Sequence, residues 1–295
     1  MSKPTTKKHK RLALKLLGLA FLLIPLALSF APSDSIAKQP NKGESETVRS
    51  TTNKDGIQWD LQTGRQIYHN QIDIMKQKGI KVDNDPQMVG RLITIMNRLK
   101  KKSLIPDIPY EVHYIDTSVV NAVCYPGGGI MFFKGLFDPH YGLVDAKSND
   151  EIAAVMGHEI AHATLRHGYK GYKKRQTLRM IGAIGSVATG AIGTDVGKIF
   201  DSVFDASTGI YLPAYSRKNE AAADLEGMIT MMGAGYNPEK AIQVWDRAAK
   251  KSGNKGIKSV INFQSSIYSS HPSNNNRAKM LTKHLENLRR TTARK

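Results

Sequence analysis

The apolar positions along the chain fall into short periodic blocks. From Trp59 to about Lys78 they recur at Leu61, Ile67, Ile72 and Met75, a helical spacing with an imperfect period. Asp85 and Pro86 open a second helix as N-cap and first helical residue, and Val89, Leu92, Ile93, Met96 and Leu99 form its apolar face. Pro106 and Pro109 end that stretch. Tyr110 to Ile115 alternates and predicts a strand. Asn121 to Tyr125 runs into a Pro126-Gly127-Gly128-Gly129 turn, and Ile130 to Phe133 predicts the next strand of a hairpin-like pair. Ser148 with Glu151 three residues on is a capping-box pattern. The helix it opens is expected to run to about His167, with Gly168 as its stop. Further helices are predicted over Lys218 to Met232 closing at Gly233, from Asn237-Pro238 to about Lys250, and from near Ser273 to about Arg290. No internal repeat is present. The pattern predicts an α+β fold, mostly helical, with a small sheet.

The amino-terminal region has a different character. Lys3, Lys7, Lys8, Lys10 and Arg11 precede an apolar run from Leu16 to Ala31, and Ser35-Ile36-Ala37 follows as a small-x-small pattern. This is the layout of a secretory signal over residues 1–37, with an uncleaved signal anchor as the alternative. Export is the expectation, to a periplasm. Residues 38–56 are polar and read as a flexible linker, 57–290 as the folded domain, and 291–295 as a basic tail. Ile181 to Thr194 is uncharged, rich in Gly and Ala and too short to span a bilayer; it reads as a mobile loop or lid, or else a buried helix.

Charge and cysteine content narrow the function classes. The chain holds 43 Lys and Arg against 25 Asp and Glu, a net charge of +18. Met1–Ala37 carries six of these bases and one acid, so most of the excess stays with the rest. Arg166 to Arg179 and Arg277 to Lys295 are the dense runs, read as solvated helix faces or as contacts to an anionic membrane surface. No compact aromatic-basic module points to nucleic acid. Cys124 is the one cysteine, which excludes an intramolecular disulfide and a zinc site built mainly from thiolates.

The candidate chemistry lies on two helices. His158-Glu159-Ile160-Ala161-His162 is an HExxH motif: residues four apart share a helix face, so both imidazoles reach one ion, and Glu159 stands beside that face as a base. A catalytic zinc needs a third protein ligand. His167 lies nine residues after His158, where the long zincin pattern needs ten, and Leu165 stands where that pattern has glycine. His167 is expected to cap its own helix end instead. Glu220 is the better third ligand, with water in the fourth position. Asp224, four residues on, shares its face and can accept the free N–H of a ligand histidine. Ala221 to Ala223 would let this helix approach the first closely.

These segments together resemble the gluzincin endopeptidases that include the HtpX heat-shock protease, the CAAX prenyl proteases and the periplasmic proteases BepA and LoiP. The resemblance is carried by Asn121-Ala122 with Pro126-Gly127-Gly128 and Gly135-Leu136, by Gly157 to His162 with Arg166-His167, by Ser216-Arg217 through Glu220 and Asp224, and by His271-Pro272 with Arg277. It implies a zincin-type metalloprotease domain with one Zn2+ per chain, held by His158, His162 and Glu220 beside the small sheet. It implies cleavage of unfolded or misassembled envelope proteins, with an envelope chaperone or assembly factor holding a latent protease site as the alternative. The strand after Pro126 would pair with an extended substrate, making Asn121, Ala122, Pro126, Gly127 and Gly128 the substrate edge. His271 would polarise the oxyanion or block the zinc at rest, and Arg277 would support it. Cys124-Tyr125 departs from the small or apolar residues usual before the turn, and the membrane-spanning helices of the HtpX and prenyl-protease branches are missing.

Overall fold

The computed structural model describes residues 54–174, 176–177, 202–205, 210–213, 215–271 and 277–292. The first element is one continuous helical rod: α1 (Lys54–Trp59), a π-helical turn (Asp60–Gly64) and α2 (Arg65–Gln77). The π turn coincides with a tight backbone contact. A Cβ on Gly64 would stand 2.3 Å from the Pro126 carbonyl oxygen, and one on Gly127 would stand 2.4 Å from that of Asp60. The rod therefore crosses directly over the Pro126–Gly129 turn, which itself needs positive φ at Gly127 and Gly128.

Helix α3 (Pro86–Lys100) starts as its sequence predicts, with the Asp85 side chain accepting from the Met88 amide. Strands β1 (Glu111–Ile115), β2 (Ala122–Cys124) and β3 (Gly129–Phe133) form one sheet in the order β1-β3-β2. β1 runs parallel to β3, with Glu111 opposite Gly129. β2 runs antiparallel to β3, with Cys124 opposite Ile130. β3 is thus the central strand. The expectation that the strand after Pro126 pairs with substrate is corrected here, because both of its edges are already bonded. Among the described residues β2 is the edge strand beside it, and its outward amides at Ala122 and Cys124 donate to Asn121 Oδ1 and Glu159 Oε2 rather than to another strand.

The sheet is buried on both faces. Tyr114, Ala122, Cys124, Ile130 and Phe132 pack with α3 and the helix behind it, while Val123, Met131 and Phe133 pack with Tyr68, Ile72 and Met75 of α2. The Tyr68 ring lies against Gly129 and its hydroxyl donates to the Ile130 carbonyl at 3.1 Å.

Helix α4 (Asn149–Thr164) is almost wholly buried. Ser148 caps it by accepting from the Glu151 amide, but Glu151 does not return the bond. Glu151 is buried and makes a bidentate pair with Arg247 at 2.8 and 2.9 Å, which ties the later helix Glu239–Ser252 to the start of α4. α4 also ends earlier than predicted. Arg166 takes φ of 59° and the chain restarts as a helix over residues 167–174, so Gly168 is not the stop. After hairpin strands β4 (Ser202–Asp205) and β5 (Ile210–Pro213) come α5 (Arg217–Gly233), α6 (Glu239–Ser252), α7 (Lys255–Val260), the single turn α8 (Ile267–Ser270) and α9 (Arg277–Thr292). α5 closes beyond Gly233 on Gly235, which takes φ of 76°. α9 begins at Arg277, and Ser273 lies outside the described residues, as do residues 1–53 and Ile181–Thr194. Among the described residues no helix is long and apolar enough to cross a membrane.

Candidate metal centre

Helices α4 and α5 cross at Gly157 and Gly227. A Cβ on Gly227 would meet the His158 amide nitrogen at 2.8 Å, and one on Gly157 would meet the Gly227 carbonyl at 3.1 Å. This approach, rather than the Ala221–Ala223 run alone, brings Glu220 to the histidines. Ala222 and Ala223 contribute a second contact, against Ala161 and Leu165.

Four buried side chains converge: His158, His162, Glu220 and His271 each offer a ligand atom, all within 4.8 Å of one another. His158 Nε2 lies 3.0 Å from His162 Nε2 and 3.3 Å from Glu220 Oε2, and His162 Nε2 lies 3.3 Å from Glu220 Oε1. His271 Nδ1 joins them, 3.2 Å from His158 Nε2 and from both Glu220 oxygens. His271 is delivered by α8, whose turn is tied to the chain before β2: Ile267 N–H donates to the Val120 carbonyl, and the Asn121 amide donates to Ser265 and Ser270. The Asn121 side chain thus bridges the His271 turn and the edge of β2, because its Oδ1 also accepts from the Ala122 amide at 2.9 Å. Pro126 and Gly127 lie under the α1–α2 rod and Gly128 against Ile108 and Tyr110, and none of the three contributes to this cluster.

Glu159 sits on the other side of His271. Its Oε2 accepts from the Cys124 amide of β2 at 3.0 Å, and its buried Oε1 lies 3.4 Å from His271 Nε2. Cys124 itself is buried, and its thiol is pushed up by burial and by Glu159. Behind the ligands, His158 Nδ1 lies 2.9 Å from Asp224 Oδ1. Arg277 binds both Asp224 oxygens at 2.5 Å, and its Nη2 lies 3.3 Å from Glu220 Oε2. Trp245 forms the floor, 4.7 Å from the His158 ring and 3.6 Å below the Arg277 guanidinium. Tyr215 stacks on His162 with ring centroids 3.9 Å apart.

The electrostatics suit a divalent cation. Glu159, Glu220, Asp224 and Arg277 are all at most 6% exposed; with neutral histidines they sum to two negative charges. Such charge is costly in a protein interior unless compensated. Burial holds the Glu159 pKa up, against the pull of His271 and His158. Burial also opposes charge on Glu220 and Asp224, but the histidines hold Glu220 well down and Arg277 holds Asp224 down. Burial works against a charged His158, yet Glu220 and Asp224 raise it to about 9. Burial lowers His162 well below its usual value. Two imidazoles and a carboxylate are the donor set of open catalytic zinc sites, so the residues present fit that ion.

His158, His162, Glu220, Asp224, His271 and Arg277, predicted from separate segments, therefore meet at one place. His167, Tyr215 and Trp245 also meet them there; of these, only His167 stood out in the sequence, and there as a helix cap.

A buried HExxH helix, a second helix bringing a glutamate to it and a small sheet alongside define a metallopeptidase-like domain. The chain belongs to Peptidase family M48, whose profile matches residues 86–285. It is 31% identical over 179 residues to the mitochondrial metalloendopeptidase OMA1 of Arabidopsis thaliana, covering 61% of this chain and 32% of that one. The Saccharomyces cerevisiae OMA1 is 30% identical over 187 residues, covering 62% and 49%. The beta-barrel assembly-enhancing protease of Escherichia coli is 25% identical over 159 residues, covering 53% and 31%. The chain thus spans about a third to a half of the length of these relatives.

Proposed function

We propose that the chain is a zinc-dependent endopeptidase, exported to the periplasm, that hydrolyses peptide bonds of misfolded or misassembled envelope proteins. The observation that carries the activity is the convergence of His158, His162 and Glu220 donor atoms beside the carboxylate of Glu159. The signal-like residues 1–37 and the likeness to a beta-barrel assembly-enhancing protease support the setting.

A zinc ion held by His158, His162 and Glu220 would supply Lewis acidity to the scissile carbonyl and to a water molecule. The protein's own part is proton transfer and alignment. Glu159 Oε2 is occupied by the Cys124 amide, which leaves Oε1 to take the water's proton and hand it to the departing amine. Burial raises the basicity of that carboxylate. Cys124 belongs to the edge strand β2, so the strand that would align an extended substrate through its outward carbonyls also holds the base through its Cys124 amide. Pairing through backbone groups reads extended conformation more than side chains, which favours unfolded chains as substrates. The basic face of α9, with Lys279, Lys283, Arg289 and Arg290 exposed, suits contact with an anionic membrane surface.

One observation favours a second reading, a chaperone or assembly factor with a latent site: His271 Nδ1 stands among the ligand atoms, where it competes with water and substrate. Two variants separate the readings. Glu159→Gln is expected to keep zinc at one per chain and to abolish casein cleavage; cleavage at the parent rate refutes the assignment. His271→Ala is expected to cleave casein faster than the parent if His271 closes the site, and more slowly if it stabilises the oxyanion.

A further inference from the structure

His162 presents Nε2 to Glu220 and His158, so its Nδ1 is the ring nitrogen that faces away from the ligand atoms. That Nδ1 lies 3.0 Å from Nδ1 of His167, which is buried. Two ring nitrogens at this distance share one hydrogen. A histidine that coordinates through Nε2 carries its hydrogen on Nδ1. His162 is then the donor and His167 Nδ1 the acceptor, with the His167 hydrogen on Nε2. The two ligand histidines are thus held differently: His158 by the carboxylate of Asp224 and His162 by a neutral ring.

The placement of His167 depends on the residue before it. An α4 running straight through would carry His167 on around the helix. Instead Arg166 adopts φ of 59°, a conformation that non-glycine residues rarely take. It is held there by burial: its Nε donates to Asp60 Oδ2 at 2.8 Å and its guanidinium lies 4.2 Å over the Tyr169 ring. Trp59, the neighbour of Asp60, stacks on Tyr172 at 4.7 Å and lies 5.4 Å from Tyr169. Asp60 and Trp59 belong to the rod that precedes the residues matched by the family profile, which begin at 86.

We propose that His167 is a positioning residue that accepts the Nδ1 hydrogen of His162, and that the buried Asp60–Arg166 pair holds the left-handed turn that puts His167 there. The amino-terminal rod thereby becomes part of the metal centre's support. This rests on His162 being a metal ligand, as proposed above.

The test measures zinc affinity of the full chain by competition with a chromophoric chelator, alongside the melting temperature of each metal-free protein. His167→Leu removes the acceptor at similar bulk. His167→Asn places an oxygen where Nδ1 stands. Loss of such a partner typically weakens metal binding about 10- to 100-fold. His167→Leu is expected to show that loss with a melting temperature close to the parent's, and His167→Asn to stay within about threefold of the parent. The visible spectrum of the cobalt-loaded protein should shift in His167→Leu and not in His167→Asn. The paired change Asp60→Asn with Arg166→Gln removes both charges at once. It should weaken zinc alone but add nothing to His167→Leu, because a relay fails once. The inference is overturned if His167→Leu binds zinc like the parent, if His167→Asn is as weak as His167→Leu, or if the paired change adds its full effect. A parent that binds no zinc, or a His162→Ala protein that binds it unchanged, instead overturns the ligand assignment beneath.

Discussion

Gly227→Ala tests whether the α4–α5 crossing sets the metal centre. The added Cβ would meet His158 N at 2.8 Å and Gly157 C and His158 Cα at 2.9 Å, all backbone of the HExxH helix. Ordinary carbon contacts begin near 3.5 Å, so the helices must part by about half an ångström or more. Overpacking of this kind costs about 1–3 kcal/mol, while alanine regains about 1 kcal/mol of helix propensity. The net loss is up to about 2 kcal/mol, a fall of no more than about 8 °C in melting temperature for a domain of this size. Function should suffer more than stability. Glu220 lies seven residues, about two turns, before Gly227 on the same helix face, so parting the helices withdraws it from His158 and His162. Displacements of about 1 Å at a catalytic centre cost on the order of 100-fold in rate. The control is Gly90→Ala in exposed mid-α3, where a Cβ meets nothing within 4 Å. It should raise the melting temperature by about 2–4 °C and leave zinc affinity alone. Calorimetry and chelator competition on both variants decide the matter. Parent-like stability and zinc affinity in Gly227→Ala would refute the argument that this contact positions Glu220.

Three further outcomes follow from the same structure. Glu220→Ala should lose stoichiometric zinc, as measured by metal analysis after dialysis; one zinc per chain in that variant would remove Glu220 from the ligand set. Burial raises Glu226 to about 7, with Thr230 opposing weakly. A carboxyl whose folded pKa is raised binds its extra proton in the native state, so its contribution to stability is lost as pH rises from about 4.5 through about 7. Discounted for solvent screening, Glu226→Gln should gain about 1–2 kcal/mol at pH 8 and almost nothing at pH 5 in urea unfolding; equal gains at both would refute the burial argument. Tyr68→Phe removes a buried bond to the Ile130 carbonyl and should cost about 1 kcal/mol, or about 2–4 °C, in a melt. An unchanged melt would mean that this hydrogen bond contributes nothing to holding the rod on the sheet.

Much of this site was legible in the sequence because its parts are local. HExxH puts two imidazoles on one face whatever surrounds it, and Glu220 with Asp224 repeats the logic one helix later. Asp85 and Ser148 announced their caps because capping needs only three residues. The misreadings share a different cause: each depended on a contact across the fold. The local sequence marks Gly168 as the stop for α4, but the tertiary pair Asp60–Arg166 places the reversal at Arg166 instead. The spacing from Ser148 marks Glu151 as a capping-box partner, but Arg247, 96 residues away, claims it. One error was avoidable. Ile130-Met131-Phe132-Phe133 does not alternate, and an unbroken apolar run marks a strand buried on both faces. That pattern already points to a central strand, and hence to edges at its neighbours and not at Ile130–Phe133.

The covering of that second face connects the fold to the chemistry. Met131 and Phe133 project away from the HExxH helix, and without Tyr68, Ile72 and Met75 they would stand in water. Burying each such side chain is worth about 1.5–3 kcal/mol, so the rod docks firmly on the sheet for reasons unrelated to the metal. Once docked, it fixes two things at opposite ends of the centre. Through the Pro126–Gly129 turn it sets where β2 ends, and β2 holds the Glu159 carboxylate by the Cys124 amide. Through Asp60 it fixes the turn after α4, and with it the ring that faces His162. A hydrophobic need at residues 131 and 133 therefore stabilises both the base and a ligand. Removing the rod should consequently lower zinc affinity in chelator competition and casein cleavage together, even though it supplies none of the converging ligand atoms.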